Sequence, residues 1–421
     1  MRKFWKLFIT LCLALILVVC LLLLNIIGQQ PKPILLPNPV PPTPNAYDTF
    51  NTAASEIQGY INRIDNLSPS GHHKATTTEL ANLFKDNSQV FIKVKQGLQQ
   101  SYLSPPVRSM NTNFSAYIGF RALARLLMIK ARLQEKVGDR FGAIETRLDC
   151  VQLGTQMQQS SGLLAQLTGD SIEALGLQGI WKDLNGLSSS DYRSLIAQLE
   201  LINRNVYPYK DVIQQEEWTG IAQIEQTFDT PGMLAELCRI HTSKGTVAAG
   251  VIDAYMHVKL ATYGGPNKII QSYMSYMNSL FRTSTYSYGL HHPLPPTPDD
   301  PINRRFCSYV NTSELIFTRI EVDRDLLLLA LALHAYHSQY GRYPQTLKQL
   351  VPAYLPSLPQ DEFAAEGTYH YRLTGKSFLL YSVGPDGKDD GGKPIETVDG
   401  GKKRFNVITA SSKGDIVAGI N

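Results

Sequence analysis

The chain has little of what usually announces chemistry. Charged residues make up 18% of its 421 residues, and the formal net charge is only +4. Its Lys and Arg residues are scattered rather than striped, which excludes the basic footprint of a nucleic-acid partner. There are five cysteines. Cys12 and Cys20 sit in an N-terminal apolar run. Cys150, Cys238 and Cys307 lie far apart and form no CxxC pair, so no disulfide framework is encoded. Buried free thiols are expected for these three, with one disulfide among them as the alternative. No GxSxG, no P-loop and no GxGxxG in a strand–helix setting is present, which removes the common nucleophile and nucleotide signatures.

What is present begins at the N-terminus. Arg2, Lys3 and Lys6 precede an almost unbroken apolar run from Leu7 to Ile27. That length crosses a bilayer core as a helix. The basic side stays in the cytoplasm, so the chain after Gly28 is expected outside. A signal peptide would have a shorter apolar region and a small-residue cleavage site. Here the run ends in "NIIGQQPKP", so an uncleaved anchor that crosses the lipid bilayer through residues 7–27 is expected. A lipoprotein reading of Cys20 fails on Val19, which stands where a small residue is needed.

The chain divides into four stretches: stub and anchor at 1–28, a proline-rich linker at 29–45, a helical-hairpin domain at 46–300 and a small α+β domain at 301–421. Proline fixes φ and removes donors, so the linker should be an extended spacer. Leu80, Leu83, Phe91 and Val94 mark one amphipathic helix, with Thr78 as a candidate cap. Ile118, Leu123, Leu126 and Leu127 mark the next, starting at Asn113 or Ser115. Gly138-Asp139 breaks and restarts the helix. The segments 163–184 and 191–202 add two more. Pro231-Gly232 restarts another, running to Ile240. The tyrosine and methionine stripe Tyr273, Tyr276, Met277 is expected in the core. Glu216-Glu217 should be a solvated helix face. His72-His73 and His291-His292 should be exposed loop pairs. The run around Leu326–Leu333 is too short to span a membrane and apolar all round, so burial is expected. His334 and His337 on that helix fit a packed rim better than a metal site. Tyr369, Tyr371 and Leu373 alternate as a strand, Thr374-Gly375 turns, and Phe378–Ser382 returns. Phe405–Thr409 and Ile416–Val417 are further strand candidates. The fold class is mainly α, with a long helix on an antiparallel sheet at the end.

The order of motifs in that last stretch carries a resemblance. Tyr336, Gly341, Tyr343 and Pro344 close the long helix. Leu350, Tyr354, Leu355, Leu358, Pro359 and Asp361 form a connection, with Phe363 beyond. Ser382, Gly384, Asp386 and Gly387 follow the hairpin. Together these resemble the C-terminal half of the major pseudopilin of bacterial type II secretion. The resemblance covers about a quarter of the chain. The prepilin cleavage site of that family is absent, and a spacer and a helical domain separate the membrane run from the long helix. The whole layout looks more like large membrane-anchored bacterial proteins with a helical region before this ending. The resemblance implies a single-pass bacterial inner-membrane protein with its C-terminal part periplasmic. It also implies a non-enzymatic scaffold or binding role linked to a secretion or pilus-like machine, with protein partners. An extracytoplasmic hydrolase with its site in the helical domain is the alternative, and a peptide-binding helical module the third reading.

The resemblance further implies calcium in the loop after the hairpin. Calcium takes six to eight oxygens, which clustered carboxylates and turn carbonyls supply. Asp386, Asp389 and Asp390 lie in that loop, Asp415 follows, and the Val383 carbonyl is a fifth candidate. An EF-hand is excluded, because Lys388 occupies its third position and Thr397 replaces the closing glutamate. A solvated turn without an ion stays open beside the calcium reading.

Overall fold

The computed structural model describes residues 2–68, 75–159, 162–234, 245–290, 294–308, 310–399, 402–405 and 407–421. Side chains are not described at 2–10, 245–252, 311, 398–399 and 402–403. His72-His73, His291-His292, Cys238 and the helix expected to reach Ile240 lie outside the described residues.

The molecule is mainly helical with a small antiparallel sheet. Its helices are α1 (Arg2–Ile27), α2 (Ala46–Glu56), α3 (Ile61–Leu67), α4 (Thr77–Asp86), α5 (Ser88–Leu98), α6 (Ser115–Lys136) and α7 (Arg140–Met157). There follow α8 (Gly162–Leu177), α9 (Ser189–Arg204), α10 (Tyr209–Asp229), α11 (Gly245–Ala261), α12 (Gly265–Thr283), α13 (Pro301–Cys307) and α14 (Ser313–Tyr340). Among the described residues no helix is long and apolar enough to cross a membrane. For α1 the described side chains are those of residues 11–27, and its leucines from Leu11 to Leu24 are exposed.

Local chemistry sets the helix ends. Thr76, not Thr78, caps α4 in a reciprocal capping box with Glu79. Asp139 caps α7 by accepting the Gly142 N–H, after Gly138 turns the chain at φ +85°. α14 ends where Gly341 takes a left-handed φ of 69° and its N–H donates to the His337 carbonyl; Pro344 then prevents continuation.

Three hydrophobic clusters organise the packing. The first helices, α2 to α6, bury Phe50, Phe120 and Leu123 together. A second cluster joins α10 to α13 and contains Tyr273, Tyr276 and Met277, the stripe expected in the core. The third is continuous across residue 300: Ile144, Leu148 and Leu199 of α7 and α9 pack with Leu326–Leu333 of α14, and the same cluster holds Leu380 and Ile416 of the sheet. α7 and α8 approach closely enough that a Cβ on Gly169 would lie 2.5 Å from the Gly154 carbonyl oxygen.

The sheet is a hairpin of β1 (His370–Thr374) and β2 (Ser377–Ser382) in register Thr374↔Ser377, with β5 (Ile416–Val417) antiparallel on the other side of β2. β3 (Thr397–Asp399) and β4 (Lys402–Arg404) pair separately. Residues 407–409 form no strand, so the expected strand at 405–409 is displaced to β4, just before it. The linker does not stand clear of the body. The Lys32 N–H donates to Asn267 Oδ1 at 2.8 Å and the Ile34 N–H to Glu225 Oε1 at 2.9 Å, while Ile34 and Leu36 pack on the second cluster. The expected spacer is a strap on α10 and α12.

Candidate functional site

Carboxylates gather in two places. The first is the loop after β2. Asp415 is fully buried. Its Oδ1 accepts the Asp390 N–H at 3.2 Å, and its Oδ2 accepts those of Gly392 at 2.6 Å and Lys393 at 3.2 Å. Burial pushes this carboxyl up against the pull of those donors. Asp389 Oδ1 accepts the Gly391 N–H at 2.8 Å and the Tyr381 hydroxyl at 2.9 Å. Its Oδ2 lies 3.4 Å from Nδ1 of His370, whose ring stacks on Tyr381. The Gly391 N–H is the main cause holding Asp389 below the usual carboxylate range. Asp386 Oδ1 faces its own turn, 3.4 Å from the Lys388 nitrogen. Val383 is buried, and its N–H donates to Asp361 Oδ2 at 2.9 Å. Among the described residues no three His, Cys, Asp or Glu side chains are grouped to hold a metal ion. Asp386, Asp389, Asp390, Val383 and Asp415 thus share one loop region. Asp389 and Asp415 accept hydrogen bonds from the loop's own N–H groups and from the Tyr381 hydroxyl.

Asp361 ties this module together. Its Oδ1 accepts the Ser382 hydroxyl at 2.7 Å and the Phe363 N–H at 3.1 Å. The connection after α14 and the end of β2 therefore meet through one buried carboxylate.

The second group lies on α14. Glu314, Thr318 and Glu321 line a cleft of about 530 Å³. Tyr209, Tyr288 and Glu362 also line it. Burial raises Glu321 to about 8; Glu362 and Asp325 push the same way, and Arg324 opposes. One turn along α14, burial raises Asp325 to about 7. Asp325 Oδ2 accepts the Tyr369 hydroxyl at 3.1 Å. Between them Arg324 pairs with Glu173 of α8, and both are sealed from solvent. Asp170, a turn before Glu173, is pushed well up by burial. Its Oδ1 accepts amide N–H groups from Gln166 at 2.8 Å and Gln158 at 3.0 Å. Of these carboxyls Glu321 lines the cleft, and a carboxyl raised in this way can trade protons with a ligand.

His334 stacks on Tyr192, and burial lowers it to about 4, so it is a neutral packed ring as expected. Cys150 and Cys307 are buried free thiols. Glu216-Glu217 contradicts its expectation. Both residues are buried, because Glu216 Oε2 accepts the Leu163 N–H at 2.9 Å and Glu217 takes the Gln214 amide at 2.6 Å.

No family model matches the chain, and no curated protein or solved structure is significantly similar to it. The α14 carboxyls read in sequence as charges flanking an apolar run. Their signal was the four-residue spacing of Glu321 and Asp325, which puts both on one face of the helix. Glu173, some 150 residues away in sequence, gave no such signal.

Proposed function

We propose that the protein is a membrane-anchored extracytoplasmic scaffold or binding protein of a bacterial inner membrane, with a pseudopilin-like module built into its end. The observation that carries this reading is the burial of the middle of α14, Leu326–Leu333. Leu326 to Leu333 lie in one cluster with α7, α9 and the sheet. The module is thus a fixed part of the helical body, and the middle of its long helix offers no free apolar face for assembly. Protein partners must then dock on the outside of the body, through its helical part or its loops. The exposed leucines of α1 are the surface that lipid would cover, and this supports the anchor at residues 7–27. A link to a type II secretion or pilus-like system is part of the proposal. In-cell crosslinking of the full chain tests it: components of such a machine should be recovered from membranes, and recovery of none of them sinks the link. Protease added outside spheroplasts should cut the chain beyond Gly28; full protection sinks the orientation.

A second reading, an extracytoplasmic hydrolase, is favoured by Glu321 and Glu362 facing one cleft with Glu321 raised to about 8. Glu321→Gln should then abolish a hydrolytic activity while leaving the fold intact. No activity from the purified chain on peptide, ester and glycoside substrates would remove this reading.

A further inference from the structure

Where the chain leaves α1 fixes the height of the body on the membrane. As a helix, the run from Leu7 to Ile27 is about as long as the hydrocarbon core is thick, roughly 30 Å. On the anchor reading, Ile27 therefore marks the outer edge of that core. The body begins at once. A Cβ on Gly265, at the start of α12, would lie 2.7 Å from the side-chain oxygen of Gln29, and the Lys32 N–H already donates to Asn267. The turn at Gly264-Gly265 thus sits level with the membrane surface. α11 ends at Ala261, three residues before that turn, and it packs against α1 itself. Ile26 and Ile27 are half-buried, whereas the leucines from Leu11 to Leu24 stand exposed.

The residues of α11 suit that place. Asp253 is its one acid and Lys259 its one Lys or Arg, and residues 245–252 carry no charge. Asp253, Met256, His257 and Leu260 recur at the spacing of one helix face. Met256, His257 and Leu260 are buried, and Asp253 Oδ1 is closed to solvent, so the helix's carboxylate faces the body. On the outer face Tyr255 is 59% exposed, and Lys259, one turn later, is exposed as well. Lys32 and Lys268 are exposed beside the same turn. A tyrosine ring suits a boundary with one side apolar and the other wet, and ammonium groups suit lipid phosphates. Their order matches depth: Lys259 is nearest the turn at the surface, Tyr255 comes a turn before it, and the uncharged stretch precedes both. Contact with α1 decides the partner, because a surface beside the anchor at this height meets the lipid that surrounds the anchor. We infer that α11 lies in the outer boundary of the bilayer beside α1, with its Tyr255–Lys259 face against phospholipid. The inference rests on the anchor reading and adds a second membrane contact to it, so that the body is seated on the bilayer.

Photocrosslinking of the full-length protein in vesicles of phosphatidylethanolamine and phosphatidylglycerol tests it. The photoreactive residue benzoylphenylalanine replaces Tyr255 on α11, Leu22 on the anchor or Val137 at the far end of α6, one position at a time. All three native side chains are exposed, so the melting temperature should stay that of the native chain. After irradiation, mass spectrometry of the digested chain reads phospholipid adducts at each position. Adducts should form at 255 and at 22, with none at 137. With the probe at 255, Lys259→Glu should lower the adduct yield there, since a carboxylate would then face the phosphates. Adduct at 22 with none at 255 overturns the inference and leaves the anchor standing. No adduct at 22 sinks the anchor reading, and the inference with it. Equal adduct at 137 and 255 overturns it too, as does a crosslink from 255 to a second copy of the chain in place of lipid.

Discussion

Arg324 of α14 donates from Nη1 to Oε2 of Glu173 on α8, with both side chains shut away from solvent. The pair is supported on each side. Arg324 Nε donates to Asn203 Oδ1 at 3.1 Å, and the Gln158 amide donates to Glu173. It bolts the long C-terminal helix to the helical domain. Breaking a buried pair by removing one partner strands the other charge, at a cost of about 3–5 kcal/mol. Glu173→Leu and Arg324→Leu should each lower stability by that amount in denaturant unfolding. The double variant should lose markedly less than the sum, because no stranded charge remains. An additive double variant would mean the two groups do not depend on each other.

The carboxyls of α14 give the protein a pH signature. Unfolded, Glu321 and Asp325 titrate near their ordinary values of 4.5 and 3.8; folded, they are held up to about 8 and about 7. Across that window the native chain binds more protons than the unfolded chain, so stability falls as pH rises. His334 acts in the opposite sense. It is lowered from 6.5 to about 4, so its contribution is present above 6.5 and is lost as pH falls towards 4. The two effects offset each other on the acid side. Between pH 6.5 and 8 only the carboxyls of these three groups still act. The melting temperature should therefore drop across that interval, and Glu321→Gln should flatten the drop. An unchanged slope in the variant would assign the pH response to other groups.

The contact between α7 and α8 predicts a different failure. A Cβ at Gly169 would meet the Gly154 carbonyl at 2.5 Å, and one at Gly176 would meet the Arg147 carbonyl at 2.8 Å. Backbone cannot swing aside as a flexible side chain can. Gly169→Ala should force the helices apart and cost about 1–3 kcal/mol by overpacking, despite the higher helix propensity of alanine. Thermal melting checks the sign: a stabilised Gly169→Ala would show that the helices separate freely.

These features divide what could be read in the residues from what could not. The long C-terminal helix, its stop at Gly341 and the hairpin around Gly375 follow from local rules of periodicity, left-handed glycine and proline. The strand expected at 405–409 slipped because β3 and β4 are only three residues each, too short for a periodicity argument. The acids of α8 and α10 were illegible for another reason. A glutamate on a helix normally marks the wet face, and Glu173 and Glu216 depart from that rule only because distant partners, Arg324 and the Leu163 N–H, reach them. Pairing at a separation of 151 or 53 residues has no local trace. Gly154 and Gly169 are equally silent, since a glycine inside a helix reads as a weakness until the neighbouring helix is in place.

The loop after the hairpin offers the sharpest test of what its acids are for. Asp415 accepts three backbone N–H groups and is fully buried. Asp386, half-buried, lies in the same loop with one long contact to its own turn. If the carboxylates serve the turn itself, Asp415→Ala orphans three donors and should cost about 2–4 kcal/mol, whereas Asp386→Ala should cost a few tenths at most. A calcium cage would weight the two aspartates more evenly, since both would be ligands, and would make stability depend on the ion. The self-satisfied turn predicts that EDTA leaves the melting temperature of the full chain unchanged and leaves the ranking of the two variants intact. A fall in melting temperature with EDTA that calcium reverses, and that Asp386→Ala abolishes, would instead make the loop a calcium site and turn the backbone donors around Asp415 into its outer support.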